Sequence, residues 1–175
     1  LNFMGSGAVK RGTITGLSTG NAVHTTALWI KITSLPSYRN WIALLGQQGS
    51  SAEHWLLNSN GSTQLGVWNG AQCSPNLSGY IGTWVHVALV HDGYNLKCYV
   101  NKTLVSTVAA TYNFTSTALS LGDGRFYNNE QDFDGLLDDV RVYNRALTAA
   151  EISQIYTGSV APSGMVLRYS FDDPT

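Results

Sequence analysis

Short runs rich in β-branched and aromatic residues recur along this chain about every ten residues, each cut off by Gly, Asn, Ser or Pro. Each such strand has an apolar face to bury, and a chain built of many of them buries those faces by stacking its strands as packed sheets. The runs predict strands at 8–14, 24–33, 41–48, 52–58, 63–69, 84–91, 96–101, 103–109, 118–121 and 135–143. Two hairpins stand out. Asp92-Gly93 joins VHVALVH to YNLKCYV, and both positions tolerate the positive φ of a type I′ turn. The run VNKTLVS predicts a second, tighter hairpin at Asn101-Lys102. At 175 residues the chain has volume for one substantial core, and we read it as a single all-β domain spanning 1–175.

The stretch FDGLLDDVRVYNRALTAAEISQIYTG, residues 133–158, runs from a strand directly into one short helix. Thr148 to Glu151 reads as a capping box, in which hydroxyl and carboxylate satisfy the free N–H groups of the first turn. Ile152, Ile155 and Tyr156 share one helical face, and Gly158 supplies a left-handed stop. The tail GMVLRYSF, followed by Asp172-Asp173, is either a closing strand of this sandwich (165–175) or the start of a following repeat; we expect strand closure within a tandem array. The chain opens at Leu1 rather than Met, as expected of a mature or excised piece. Cys98 falls in phase with Leu96 and Val100 and so points into the core, whereas Cys73 lies in the loop-like GAQCSPN. A bridge would form on export, but two unpaired thiols are the expected state. Sequons at Asn60, Asn76, Asn101 and Asn113 occur at the rate chance gives in so Asn- and Ser/Thr-rich a chain.

Four segments carry a family resemblance: ALWIK at 27–31; GTWVHVA at 82–88 with Asp92-Gly93; CYVNK at 98–102; and the 133–156 block. Their order and spacing resemble the laminin-G-like, concanavalin A-like lectin domains. The resemblance implies a two-sheet antiparallel jelly-roll sandwich with one short C-terminal helix, serving mainly to bind sugars or proteins. It also implies a structural calcium, with Asp138 or Asp139 of the closing strand among the ligands. Asp123, Asn128, Asn129, Asp132 and Asp134 supply further oxygen donors nearby. Met4 stands where relatives often carry an Asp, which removes one ligand, and Asp138 shares a phase with Leu136, Val140 and Val142.

Hydrolases on this sandwich are similar to one another in an E-x-D-x-x-E strand that aims two carboxylates into one cleft; retaining chemistry needs them about 5 Å apart. Here the glutamates are Glu53, Glu130 and Glu151 alone, and Glu151 is committed to the helix cap. Glu130 and Asp132 come closest, in the loop-like YNNEQDFDG. The Gln/His/Arg/Tyr cluster of related lyases has no matching motif, and no G-x-S-x-G elbow or phosphate-cradling loop is present. His24, His54, His86 and His91 lack metal-ligand spacing; His86 takes the Trp-x-His strand position of the resemblance and is expected to be half-buried and hydrogen-bonded. We therefore expect no catalysis.

Aromatic residues are the main functional clue, because sugars stack their C–H faces on Trp and Tyr while planar polar groups take the hydroxyls. Trp29 and Trp84 sit inside strand motifs and are expected to pack. Trp41, Trp55 and Trp68, with Tyr38, Arg39, His54, Asn58, Gln64 and Asn69, fall on or beside central strands and are the expected ligand-binding face; Arg125, Phe126, Tyr127 and Asn128 would add a rim. The leading expectation is a non-catalytic carbohydrate-binding module of a secreted or surface protein. The alternative is a protein-interaction or structural repeat of an extracellular adhesin, docking through an exposed apolar patch. A net charge of -1 supplies no long-range attraction for nucleic acid, and no apolar run approaches the roughly 20 residues of a membrane span. The low charge also argues against sulfated or uronate glycans, with Arg39 and Arg125 the groups able to reverse that.

Overall fold

In a computed structural model the described residues are 2–4, 12–34, 40–45, 53–57, 65–66, 72–73, 76–122, 133–159 and 162–171. In chain order the elements are β1 (Asn2–Met4), β2 (Gly12–Thr13), β3 (His24–Ile32), β4 (Asn40–Leu45), β5 (Glu53–Leu57), β6 (Leu65–Gly66), β7 (Gln72–Cys73), a 3-10 turn (Leu77–Tyr80), β8 (Trp84–His91), β9 (Asn95–Val100), β10 (Thr103–Ala109), β11 (Ala118–Leu121), β12 (Asp134–Tyr143), α1 (Ala149–Tyr156) and β13 (Met165–Tyr169). The larger sheet runs β1-β12-β3-β8-β9-β10, with β13 also on β12; the smaller runs β2-β11-β4-β5, and β6-β7 form a ribbon. All pairings are antiparallel. The fold is the all-β jelly-roll sandwich that the sequence predicts.

Strand alternation explains the layers. Leu28, Ile30 and Ile32 of β3, Val85, Val87 and Leu89 of β8, and Leu137, Val140 and Val142 of β12 face inward, where they meet Leu119 and Leu121 of the smaller sheet and Leu65 of the ribbon. The opposite phase forms a second cluster on the outer face. There Ala27, Ala88, Val90, Tyr99 and Tyr143 are covered by Leu147, Ile152 and Ile155 of the helical segment. The capping box is present: Glu151 N–H donates to Thr148 Oγ1 at 3.3 Å, and Thr148 N–H donates to Glu151 Oε2 at 2.9 Å.

Several features of the strands and turns differ from the sequence expectation. Cys73 and Cys98 form a disulfide, with Cα atoms 6.2 Å apart and both residues fully buried. The inward phase of Cys98 holds, but 72–73 is a strand rather than a loop, and its pairing with β6 brings Cys73 over β9. At Asp92-Gly93 only Gly93 has positive φ, at 95°. That turn is held instead by the Asp92 carboxylate, which accepts the N–H groups of Tyr94 at 3.1 Å and Asn95 at 2.8 Å. The type I′ requirement is met in the second hairpin, where Asn101 and Lys102 have φ of 46° and 65°. Finally, β1 and β7 are short strands that no hydrophobic run announces.

Both ends of the described chain lie along one edge of β12. β1 pairs with 134–136 and β13 with 140–143, while β3 takes the other edge. Val166, Leu167, Tyr169 and Phe171 pack half-buried against the main core.

Candidate functional site

β12 changes register against β3 between Asp138 and Arg141, and there Asp139 adopts φ 46°, a left-handed conformation uncommon outside glycine. Asp138 holds the bulge. Its Oδ1 accepts the N–H of Asp139 at 2.7 Å and of Phe171 at 3.1 Å. The bulge swings the Asp139 carboxylate between two guanidinium groups: Arg141 donates through Nε at 2.9 Å and through Nη2, and Arg168 donates through Nε at 2.8 Å. Burial works to raise the Asp139 pKa, but the hydrogen bonds and charges of both arginines outweigh it and hold the carboxyl below its usual range. A carboxylate saturated by two cations does not fit a calcium shell, and among the described residues no group of His, Cys, Asp and Glu converges as a metal site. Of the other oxygen donors named from sequence, Asp134 accepts from Ser34, whereas Asp123, Asn128, Asn129 and Asp132 lie outside the described residues.

The remaining described carboxylates with resolved shifts are likewise counter-ions. Asp92 binds Lys97 at 2.8 Å, and Glu151 binds Arg145 through both oxygens. Hydrogen bonding to Lys97 pulls Asp92 far below the carboxylate range, and hydrogen bonding to Arg145 pulls Glu151 down to about 2. A general acid needs the opposite shift.

The outer face of the larger sheet carries an aromatic cluster that the sequence reading assigned to packing. Helix α1 covers one half of this face and ends at Tyr156. Beyond it, Trp29 lies opposite His86 on the paired strands β3 and β8, and one row further on Lys31 lies opposite Trp84. Trp29 stacks on Tyr156 at 5.3 Å between ring centroids and meets His86 edge-on at 5.3 Å. Lys102, from the β9–β10 turn, sets its Nζ 5.3 Å from the centre of the Tyr156 ring. Trp84 is 40% exposed, against the expectation that it packs; it is the first residue of β8, past the reach of the helix. Trp29 is half-buried. His86 is buried rather than half-buried, and its Nδ1 has no hydrogen-bond partner among the described residues. Burial, reinforced by Arg141 and partly opposed by Asp139, lowers its pKa from 6.5 to about 4, so the ring is neutral at physiological pH.

Two of the indoles expected from sequence to bind ligand lie in neighbouring strands of the smaller sheet. Trp41 lies in β4 and Trp55 in the neighbouring β5, at the register positions Trp41↔Leu56 and Ala43↔Trp55. Tyr38, Arg39, Trp68, Asn69, Arg125 and Tyr127 lie outside the described residues, as does Glu130. The sequence predicted the strand start at Trp84 but missed that this position leaves the ring exposed.

The fold is shared with solved lectin-like domains. A provisionally assigned carbohydrate binding protein from Bacteroides ovatus superposes with a TM-score of 0.72 at 19% identity, over 95% of this chain and 50% of that one. The chain thus spans about half of that protein. A heptameric SAP-like pentraxin from Limulus polyphemus gives 0.64 at 18% identity, over 93% and 82%. Domain 4 of AbnA, an extracellular arabinanase from Geobacillus stearothermophilus solved with arabinotriose, gives 0.59 at 19% identity, over 81% and 69%. No curated protein sequence matches the chain. The Laminin_G_3 model matches residues 4–153, and the chain therefore belongs to that family of the concanavalin A-like lectin/glucanases superfamily.

Proposed function

We propose that this domain is a non-catalytic carbohydrate-binding module of a secreted or surface protein, gripping glycan by ring stacking on Trp and Tyr with hydrogen bonds from amide and guanidinium groups. The observation that carries this reading is the pairing of open indole surface with carboxylates already committed to cations. Trp84 offers a stacking face, while Asp92, Asp139 and Glu151 are held ionised by Lys97, Arg141, Arg168 and Arg145. Sugars present a C–H face and a hydroxyl edge, which suits such a surface. The carbohydrate-binding neighbours of the same fold support it. The buried Cys73–Cys98 disulfide supports an exported location, because cytosolic thiols are kept reduced.

The single-domain affinity is expected to be weak and to be multiplied if copies occur in tandem. A glycan array followed by titration calorimetry tests the reading. Binding to at least one glycan without turnover supports it, and turnover of an oligosaccharide by the purified protein, abolished in Glu130→Gln, overturns it. Silence across plant, algal and animal glycans favours the second reading, a protein-docking repeat of an extracellular adhesin, which the exposed Leu104 and Val105 of edge strand β10 also support.

A further inference from the structure

The uncovered half of the larger sheet's outer face is chemically unusual. A sheet face left open to water is ordinarily polar, and the opposite half of this one is buried under α1. Beyond the helix end stand instead two indoles in adjacent strands, diagonal neighbours across the β3–β8 ladder, with Leu136 on β12 beside Lys31. The charge there is unbalanced as well. Arg141 and Arg168 share the single carboxylate of Asp139, and neither Lys31 nor Lys102 has a carboxylate partner among the described residues. Two other acids lie close by: Asp138, opposite Trp29, with its Oδ1 occupied by two backbone N–H groups, and Asp134, two residues before Leu136, which accepts from Ser34; the four cations still outnumber the three carboxylates. A chain whose net charge is -1 thus carries a local cationic excess around its open aromatic rings.

We propose that Trp84 and Trp29, flanked by Lys31 and Lys102, form a platform for an acidic sugar residue, a pyranose bearing a carboxylate. The sugar's C–H face lies on the Trp84 indole, and its carboxylate reaches the ammonium group of Lys31, directly across the ladder. Trp29 is fixed from behind by its ring contacts with Tyr156 and His86, which holds the platform rigid before ligand arrives. Lys102 closes the side at which the helix ends. A wholly apolar occupant would leave two ammonium groups beside it without counter-ions, and a neutral sugar would use the indole and ignore the charge; the acidic sugar satisfies both. This inference rests on the carbohydrate-binding reading, narrows it to a ligand class, and places the site away from β4 and β5.

The test is calorimetric titration of the intact domain with uronate oligosaccharides of plant, algal and animal origin, each beside its carboxyl-reduced counterpart. The expected result is binding of at least one uronate series at least tenfold tighter than its reduced form. Trp84→Ala should weaken that binding about tenfold or more in a domain that still unfolds cooperatively, Lys31→Gln should erase the preference for the acid, and Tyr94→Ala, at the far end of the sheet, should change neither. Glycan binding that survives both Trp84→Ala and Trp29→Ala overturns the platform while leaving the carbohydrate reading standing. Equal affinity for acid and reduced forms overturns the ligand class. No binding of any glycan by the folded domain overturns both readings, and concentration-dependent self-association abolished by Trp84→Ala reassigns the face to contact between copies.

Discussion

His86 gives the most direct quantitative check on how the outer face is built. It is only 3% exposed, ringed by Trp29 and Tyr156, and its pKa is lowered from 6.5 to about 4, first by burial and then by the Arg141 charge. A lowered histidine pKa means that the native state holds the neutral ring while the unfolded chain takes up a proton below pH 6.5. The unfolded state then binds more protons, so stability rises with pH across this window. The contribution is fully present above about pH 6.5 and is lost as the pH falls toward 4. At about 1.4 kcal/mol per unit, the full shift corresponds to about 3 kcal/mol, of which about 2 kcal/mol is already lost at pH 5. His86→Phe keeps an aromatic ring against Trp29 and removes the titration. Urea unfolding of both proteins at pH 7.5, 6.5, 5.5 and 5.0 should show the wild type losing about 2 kcal/mol more than the variant over that range. Working above pH 5 keeps most of the carboxylate titration out of the comparison. Equal pH slopes for the two proteins, or an NMR titration midpoint for the His86 ring near 6.5, would refute the reasoning.

Four further outcomes are expected. Removing the disulfide by Cys73→Ser with Cys98→Ser should cost about 3 kcal/mol, from the loop spanned by a sequence separation of 25, and reductant should lower the wild-type urea midpoint but not the variant's. Gly135→Ala should destabilise by about 2–3 kcal/mol in the same assay, because an added Cβ would sit 2.3 Å from the Lys31 carbonyl oxygen; a neutral effect would mean that β12 and β3 are less closely apposed. The Glu151 ion pair should stabilise fully above about pH 4.5 and fail as pH falls toward 2, so Glu151→Gln should flatten the acid limb of thermal melts. Chelator should leave the melting temperature unchanged as far as Asp139 is concerned, since two arginines hold it; a drop with EDTA that calcium reverses would show that the ion displaces them.

Much of the architecture was legible because local physics agreed with the global outcome. The strands at 84–91, 103–109 and 118–121 have the bounds that alternation predicts, and the Thr148–Glu151 cap specified the helix start with no tertiary information. The misreadings have particular causes. β7 is two residues long and has no periodicity to detect, so the approach of Cys73 to Cys98 could not be seen. Asp92-Gly93 was assigned a type I′ turn on residue preference, although a carboxylate that accepts two backbone N–H groups stabilises a different turn from the same letters.

For the candidate site the balance is different. Sequence placed Trp29, Trp84 and His86 inside strand motifs and predicted that the two indoles pack, but a strand position alone does not say which face a ring joins. Whether that face meets water depends on where α1 stops, and a contact between residue 29 and residue 156 is invisible in a list of neighbours along the chain. Asp139 makes the same point: a carboxylate in an acidic run suggests a cation ligand until a register shift on β12 and the return of β13 set two guanidinium groups against it. Alternation, turn residues and the cap are local, short-range preferences that determined an all-β chain with one helix, and the family resemblance supplied the jelly roll. Exposure, ion pairing and the disulfide arise between strands distant in sequence, so only the folded arrangement decided them.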